Sequence, residues 1–327
     1  MLGNIKVQNK KHMALRFFGG CFAAAVLLSA CGQTGGTPAA SAELSSGSNT
    51  NAPEVSAAVD VITPEATPDP NATPAPTPTP GPTPTPGPTP TPEYVDLSQS
   101  QYQTPPLPQL DPVASGEEIA VLHTDLGDIK VRFFPDYAQK TVQNFKTLAK
   151  SGYYDNNIFN RVIANTFVQT GDPTGTGTGG QSMWGQPFSA EPSISLHNIY
   201  GAVTMVPDQS GGQGSQFFII TNKTLDDATK TALESYKDKQ NEVAMTLQDG
   251  TKVPYAQILP TSIIDKYVES GGIPSLDLQV TVFGQVFDGL DVLDKIDAVQ
   301  TSQDQATQGK PLTDVKIDSI TFENYQG

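Results

Sequence analysis

Three polar side chains sit inside otherwise apolar stretches: Arg161, Gln169 and Gln216. The first two belong to FNRVIANTFVQTGD (159–172), where Phe159, Arg161 and Ile163 alternate with Asn160 and Val162. That alternation is a strand rhythm. If 159–163 and 167–170 pair as a hairpin centred on Asn165, Arg161 faces Gln169 and Ile163 faces Phe167, all on one side of the sheet. An amide oxygen can then accept from the guanidinium and hold its direction. A fixed, permanently charged donor beside an aromatic suits an uncharged substrate with one basic atom. The spacing alone fits equally a surface arginine hydrogen-bonded for solubility. GSQFFII (214–220) adds a second strand, with Gln216 and Phe218 on one face and Phe217 and Ile219 on the other, which can fill a core.

Other chemistry has little support. Of three histidines, His12 lies in the basic leader, and His123 and His197 have no motif partner and read as structural or solvated. Once the leader is removed, Cys31 alone remains of the two cysteines, so no metal centre, disulfide or cofactor is expected. GTGTGG (175–180) lacks the Lys-Ser/Thr of a phosphate loop and reads as turn-forming backbone near the groove. Ser215 lacks the flanking glycines of a nucleophile elbow. Trp184 reads as packing over a loop, and the acidic stretch 226–242 as a solvated helix face.

The elements that must position these residues begin near residue 115. IAVLHTDLGDIKVRFF (119–134) reads as two strands joined at 125–128. Pro135 opens a helix whose apolar stripe is Tyr137, Val142, Phe145 and Leu148. Further strands are expected at 159–163, 167–170, 201–206, 215–220, 280–287 and 314–323, and a second helix at 290–299. Residues 224–274 read as an insertion: a helix, a small hairpin at 243–253, and a helix ending at glycine. Many strands with two helices suggest one closed barrel or sandwich.

The front of the chain has a different composition. Residues 1–30 carry Lys6, Lys10, Lys11 and Arg16, no acid, and a short apolar run, the pattern of a secretory signal. Leu28-Ser29-Ala30-Cys31 resembles the lipobox of bacterial lipoproteins, which implies lipidation at Cys31 and anchoring without a transmembrane helix. Residues 31–114 read as a disordered Pro/Thr-rich linker with PTPTPG repeats, a semi-rigid stalk in polyproline II. Behind such an anchor, the Asn71 and Asn222 glycosylation patterns are chance matches. The formal charge is −15, and loss of the leader leaves 15 basic against 34 acidic residues. Such a surface repels nucleic acid and anionic headgroups, so membrane contact is expected through the lipid alone.

FNRVIANTFVQTGD, GDPTGTGTGG, GSQFFI and LDLQVTVFGQV (276–286), in that order, resemble a cyclophilin-type peptidyl-prolyl isomerase across about residues 117–324. The resemblance implies a mainly β fold: an eight-stranded antiparallel barrel closed by two helices, with the substrate groove on its outer face. It implies catalytic roles for Arg161, which donates to the proline nitrogen, and Gln169, which orients it. Phe167, Phe218, Leu276 and Thr166 fall at the proline pocket, and Gln216 at the substrate backbone. The expected partners are proline-containing polypeptides, and the expected state is a monomer.

The chain departs from the family at four groove positions. Thr166 stands where a phenylalanine is usual, Ser275 replaces a tryptophan, Val280 a histidine, and Val206-Pro207 a pair whose backbone meets substrate. The expectation is therefore isomerisation of X-Pro bonds in proteins folding outside the membrane, with reduced catalysis and weak cyclosporin binding. The alternative is a proline-peptide-binding or holdase module; a scaffold role for stalk and insertion is the third reading.

Overall fold

The computed structural model describes residues 92–208, 210–304 and 308–327. The signal 1–30, Cys31, the PTPTPG repeats and Asn71 lie outside them. Among the described residues, no helix is long and apolar enough to cross a membrane.

The first strands of the described residues form a hairpin of β1 (Glu118–Thr124) and β2 (Gly127–Phe133), followed by α1 (Gln139–Lys150). Then come β3 (Asn157–Ile158), β4 (Arg161–Ile163), β5 (Phe167–Thr170), β6 (Phe188–Ser189), β7 (Ala202–Pro207) and β8 (Gly212–Ile220). The insertion holds α2 (Asp227–Ser235), the hairpin β9 (Val243–Thr246) and β10 (Lys252–Pro254), α3 (Tyr255–Ile258) and α4 (Thr261–Ser270). The fold ends with β11 (Val282–Asp288), α5 (Leu290–Asp297) and β12 (Lys316–Asn324).

The sheet runs β3-β12-β1-β2-β11-β7-β8-β5-β4, every pair antiparallel, with the short β6 added to β8. Its first and last members are consecutive in the chain, separated only by Phe159 and Asn160. One interrupted strand therefore pairs with β12 through its first half and with β5 through its second, which closes the sheet on itself. Counted that way, the mainly β fold is the expected eight-stranded cyclophilin-like barrel, with the short β6 as an annex.

The barrel interior is built by alternation. Val162, Val168, Phe217 and Ile219 point inward with Val203, Met205 and Phe283. The Phe145 ring of α1 closes over them, 5.4 Å from both Phe217 and Phe283 and 5.2 Å from Tyr154. Phe217 is fully buried, so truncating it to alanine costs about 3–5 kcal/mol in transfer and cavity energy.

Two boundaries differ from expectation. Helix α1 starts at Gln139 rather than at Pro135, because its first free N–H groups are met by a distant carboxylate. Glu191 accepts from Lys140 N at 3.2 Å and Thr141 N at 2.9 Å, a cap that local sequence does not reveal. The second difference concerns residues 92–114, placed in the linker by their composition: they lie along the domain. Val95 N donates to Asn241 O (2.8 Å), Gln257 Nε2 to Gln101 O (2.7 Å), and Arg132 Nη1 to the carbonyls of Pro108 and Asp111 (3.1 and 2.7 Å). These contacts use backbone carbonyls and a few amides, so no apolar periodicity announces them.

The insertion has its own small core of Leu225, Leu233, Ile263, Ile264 and Tyr267, packed on Ile199 and Leu107. Its helices and hairpin fall close to where the pattern places them. Gly271, at φ +80, ends α4 as expected.

Candidate active site

The β4–β5 register pairs Arg161 with Gln169, Val162 with Val168 and Ile163 with Phe167. The turn between them is tight enough to put Asn165 at φ 53, a conformation asparagine tolerates better than most residues. On the far side of β5, Gln169 pairs with Phe218 of β8. Strand alternation thus sends Val162, Val168 and Phe217 inward, and Arg161, Gln169, Phe167 and Phe218 outward onto one patch.

The floor of that patch is apolar. Phe167 and Phe218 lie 5.5 Å apart, centroid to centroid. Leu276, carried by the short 3-10 turn Pro274–Leu276, packs in the same cluster with Ile163, Val206 and Val280. The Arg161 guanidinium carbon sits 5.4 Å from the Phe167 ring centroid, a cation–π distance. Partial burial draws the Arg161 guanidinium below its ordinary value, yet an arginine remains charged at neutral pH.

The amides beside it are ordered. Gln169 Nε2 donates to Gln216 Oε1 at 2.8 Å, so its own oxygen is not used in that bond. Gln216 Nε2 in turn donates to the carbonyls of Gly177 (3.1 Å) and Gly179 (2.8 Å). Thr166 stands apart: its hydroxyl bonds Ala164 O at 3.4 Å, within its own turn.

The departures from the family pattern have structural counterparts. Val206 and Val280 extend the apolar floor where hydrogen-bonding groups are usual. Pro207 lies within β7 and has no N–H to offer a bound backbone. Ser275 is exposed beside Leu276, so no large side chain walls the patch on that side.

Several residues emerge only from the coordinates. Asp172 is fully buried and ties the Gly/Thr loop that holds Gln216. Gly309, at φ +82, lets the chain before β12 lie against β4: Val162 N donates to Gly309 O at 2.7 Å. A side chain there would meet Ile163 Cδ1 at 2.8 Å and Arg161 Cγ at 3.2 Å. His197 is buried, not solvated, with Nδ1 2.7 Å from Asp277 Oδ2. The loop glycines and Asp172 were visible in GDPTGTGTGG, but their link to Gln216 was not. Trp184 is half-exposed, edge-on to Phe188 at 5.2 Å.

A closed antiparallel barrel with an arginine–amide pair beside an apolar floor on its outer wall is the architecture of a proline-binding rotamase. A family model and curated relatives agree. A family model described as cyclophilin type peptidyl-prolyl cis-trans isomerase/CLD matches residues 119–322. A curated Staphylococcus aureus (strain USA300) protein named "Putative peptidyl-prolyl cis-trans isomerase" is 41% identical over 217 residues, 66% of this chain and 98% of its own. A Staphylococcus saprophyticus relative of the same name is 41% identical over 214 residues, 65% of this chain and 96% of its own. A solved cyclophilin type isomerase from Cryptosporidium parvum aligns at TM-score 0.45 and 24% identity, over 63% of this chain and 97% of that one. The chain belongs to the cyclophilin-type peptidyl-prolyl cis-trans isomerase family.

Proposed function

We propose that this protein isomerises X-Pro bonds in polypeptides folding outside the cytoplasmic membrane, to which lipid on Cys31 anchors it. The observation that carries the activity is Arg161 standing opposite Gln169 and over the edge of the Phe167–Phe218 floor. Rotation about X-Pro is slow, about 10–100 s uncatalysed, because the amide is conjugated. As the bond twists, conjugation is lost and the proline nitrogen becomes basic. A guanidinium aimed at that nitrogen bonds it more strongly in the twisted state than in either planar isomer, which lowers the barrier. The apolar floor receives the pyrrolidine ring, and Gln216 meets the substrate backbone. No covalent intermediate is needed.

The location rests on the basic leader, its short apolar run and the Leu28–Cys31 pattern, with the Pro/Thr-rich stretch as a spacer. Exchange broadening on a small X-Pro peptide, compared between the protein and its Arg161→Ala variant, tests the activity. Equal exchange for the two removes Arg161 from the mechanism. Cys31→Ser is expected to release the protein from the membrane fraction; retention would refute the anchor.

One observation favours a second reading, a binding module with little turnover: Pro207 stands at the β7 position where a bound backbone would seek an N–H. Peptide binding without catalysed exchange would select it.

A further inference from the structure

The Gly/Thr loop after β5 is organised by one carboxylate. Asp172 Oδ1 accepts from Thr174 N and Thr174 Oγ1, both at 2.8 Å. Asp172 Oδ2 accepts from Gly177 N at 2.7 Å, Gly179 N at 3.0 Å and Thr176 Oγ1 at 3.2 Å. The side chain is fully buried, and a buried carboxylate is tolerated only when its lone pairs are met in this way. Close approach is built in, since a Cβ on Gly179 would lie 2.3 Å from Asp172 Oδ1.

The loop so folded presents the carbonyls of Gly177 and Gly179 to Gln216. A carbonyl can only accept, so Gln216 must turn its NH2 group to the loop. Its oxygen then faces Gln169, which must answer with its own NH2, as it does at 2.8 Å. Arg161, a side chain with donors only, is the register partner of Gln169 on β4. Reversing either amide would set donor against donor or acceptor against acceptor.

We propose that Asp172 is a positioning residue for the reaction: through the loop 174–179 it sets the sense of the Gln216 and Gln169 amides and so the aim of the Arg161 guanidinium. The catalytic part of this relay rests on the isomerase reading; the orientation of Arg161 does not.

The full-length protein carrying Asp172→Asn tests it, alone and combined with Gln216→Leu. Asparagine replaces one acceptor oxygen by a donor that opposes the loop N–H groups. The expected result is a fall in kcat of about tenfold, the value of one well-aimed hydrogen bond in the transition state. KM changes less, and the Nε–Hε resonance of Arg161 shifts. Because Asp172 acts through Gln216, adding Asp172→Asn to Gln216→Leu costs less than about twofold more. A merely structural role would instead give independent losses multiplying to about a hundredfold, and that result overturns the relay, as does an unmoved Arg161 resonance. If Asp172→Asn does not fold, Gln216→Glu, read beside Gln216→Leu, carries the test. Gln216→Leu removes the amide between the loop and Gln169 without adding charge, so an unmoved Arg161 resonance in that variant again overturns the proposal. Failure of the isomerase reading looks different: Arg161→Ala would match the wild-type rate while Asp172→Asn still shifted the Arg161 signal.

Discussion

The Tyr267 hydroxyl of helix α4 lies 2.8 Å from both carboxylate oxygens of Asp277, the residue next to Leu276 in the apolar floor. Asn198 adds its backbone N–H at 2.8 Å and its amide at 3.1 Å, and His197 its Nδ1 at 2.7 Å. The insertion is therefore fastened to the barrel at the base of the substrate patch. Tyr267→Phe removes one donor from a mostly buried carboxylate and is expected to cost about 1.5–3 kcal/mol, read from urea unfolding. The hydroxyl is held well above its ordinary value, first by burial and then by the Asp277 charge. A folded value raised above the unfolded one means that the protein's stability begins to fall as pH rises past about 10. The Tyr267→Phe variant should show a shallower alkaline decline; an unchanged slope would contradict the assignment.

Replacing Arg161 by lysine keeps the charge but loses the planar fork of donors that an amide oxygen and a twisting imide nitrogen can share. Arg161→Lys is expected to lose about 10²–10³ in kcat/KM, close to the loss in Arg161→Ala. Retention of most of the rate in a peptide exchange assay would show that charge alone suffices.

Gln109 occupies a buried niche, accepting from His197 N at 2.6 Å and donating to His197 O at 2.9 Å and Gln285 Oε1 at 3.0 Å. Gln109→Ala leaves those groups unpaired, with an expected loss of about 1–3 kcal/mol in chemical denaturation. A change of only a few tenths would mean that residues 92–114 fasten weakly to the domain.

Asp172 also sets an acid limit. Burial alone would raise its carboxyl, but hydrogen bonds from Thr174 and from the N–H groups of Gly179, Thr174 and Gly177 hold it below the ordinary range. A depressed folded value gives stability that is present above about pH 4 and is lost as pH falls through the folded value. Acid unfolding of Asp172→Asn should therefore be less steep below pH 4 than that of the wild type, by about one proton.

Gly309→Ala combines a strained φ of +82 with collisions against Ile163, Val162 and the Arg161 stem. The expected cost is about 1–3 kcal/mol, with a matching fall in isomerase rate as Arg161 is pushed from its rung. Calorimetry and the exchange assay check the two parts separately.

The hairpin that carries the chemistry was legible in advance. Centring a hairpin on Asn165 pairs Arg161 with Gln169 and Ile163 with Phe167, the register the strands adopt, and alternation then puts all four on one face. The same period divided Phe217 from Phe218. Helices with clear apolar stripes were also readable, to within a few residues at their ends. The start of α1 was not, because its cap is Glu191, far along the chain. Residues 92–114 were not, because carbonyls and amides fasten them rather than a run of apolar side chains.

Local alternation and composition thus determined which residues share a face and which segments form strands. Only the tertiary structure decided how polar groups remote in sequence meet: Tyr267 and His197 at Asp277, Asp172 through the loop to Gln216, Gly309 against Arg161. The reason is physical. Apolar periodicity repeats within one element and leaves a trace in the sequence, whereas a hydrogen bond between distant elements depends on positions that exist only after the barrel has closed.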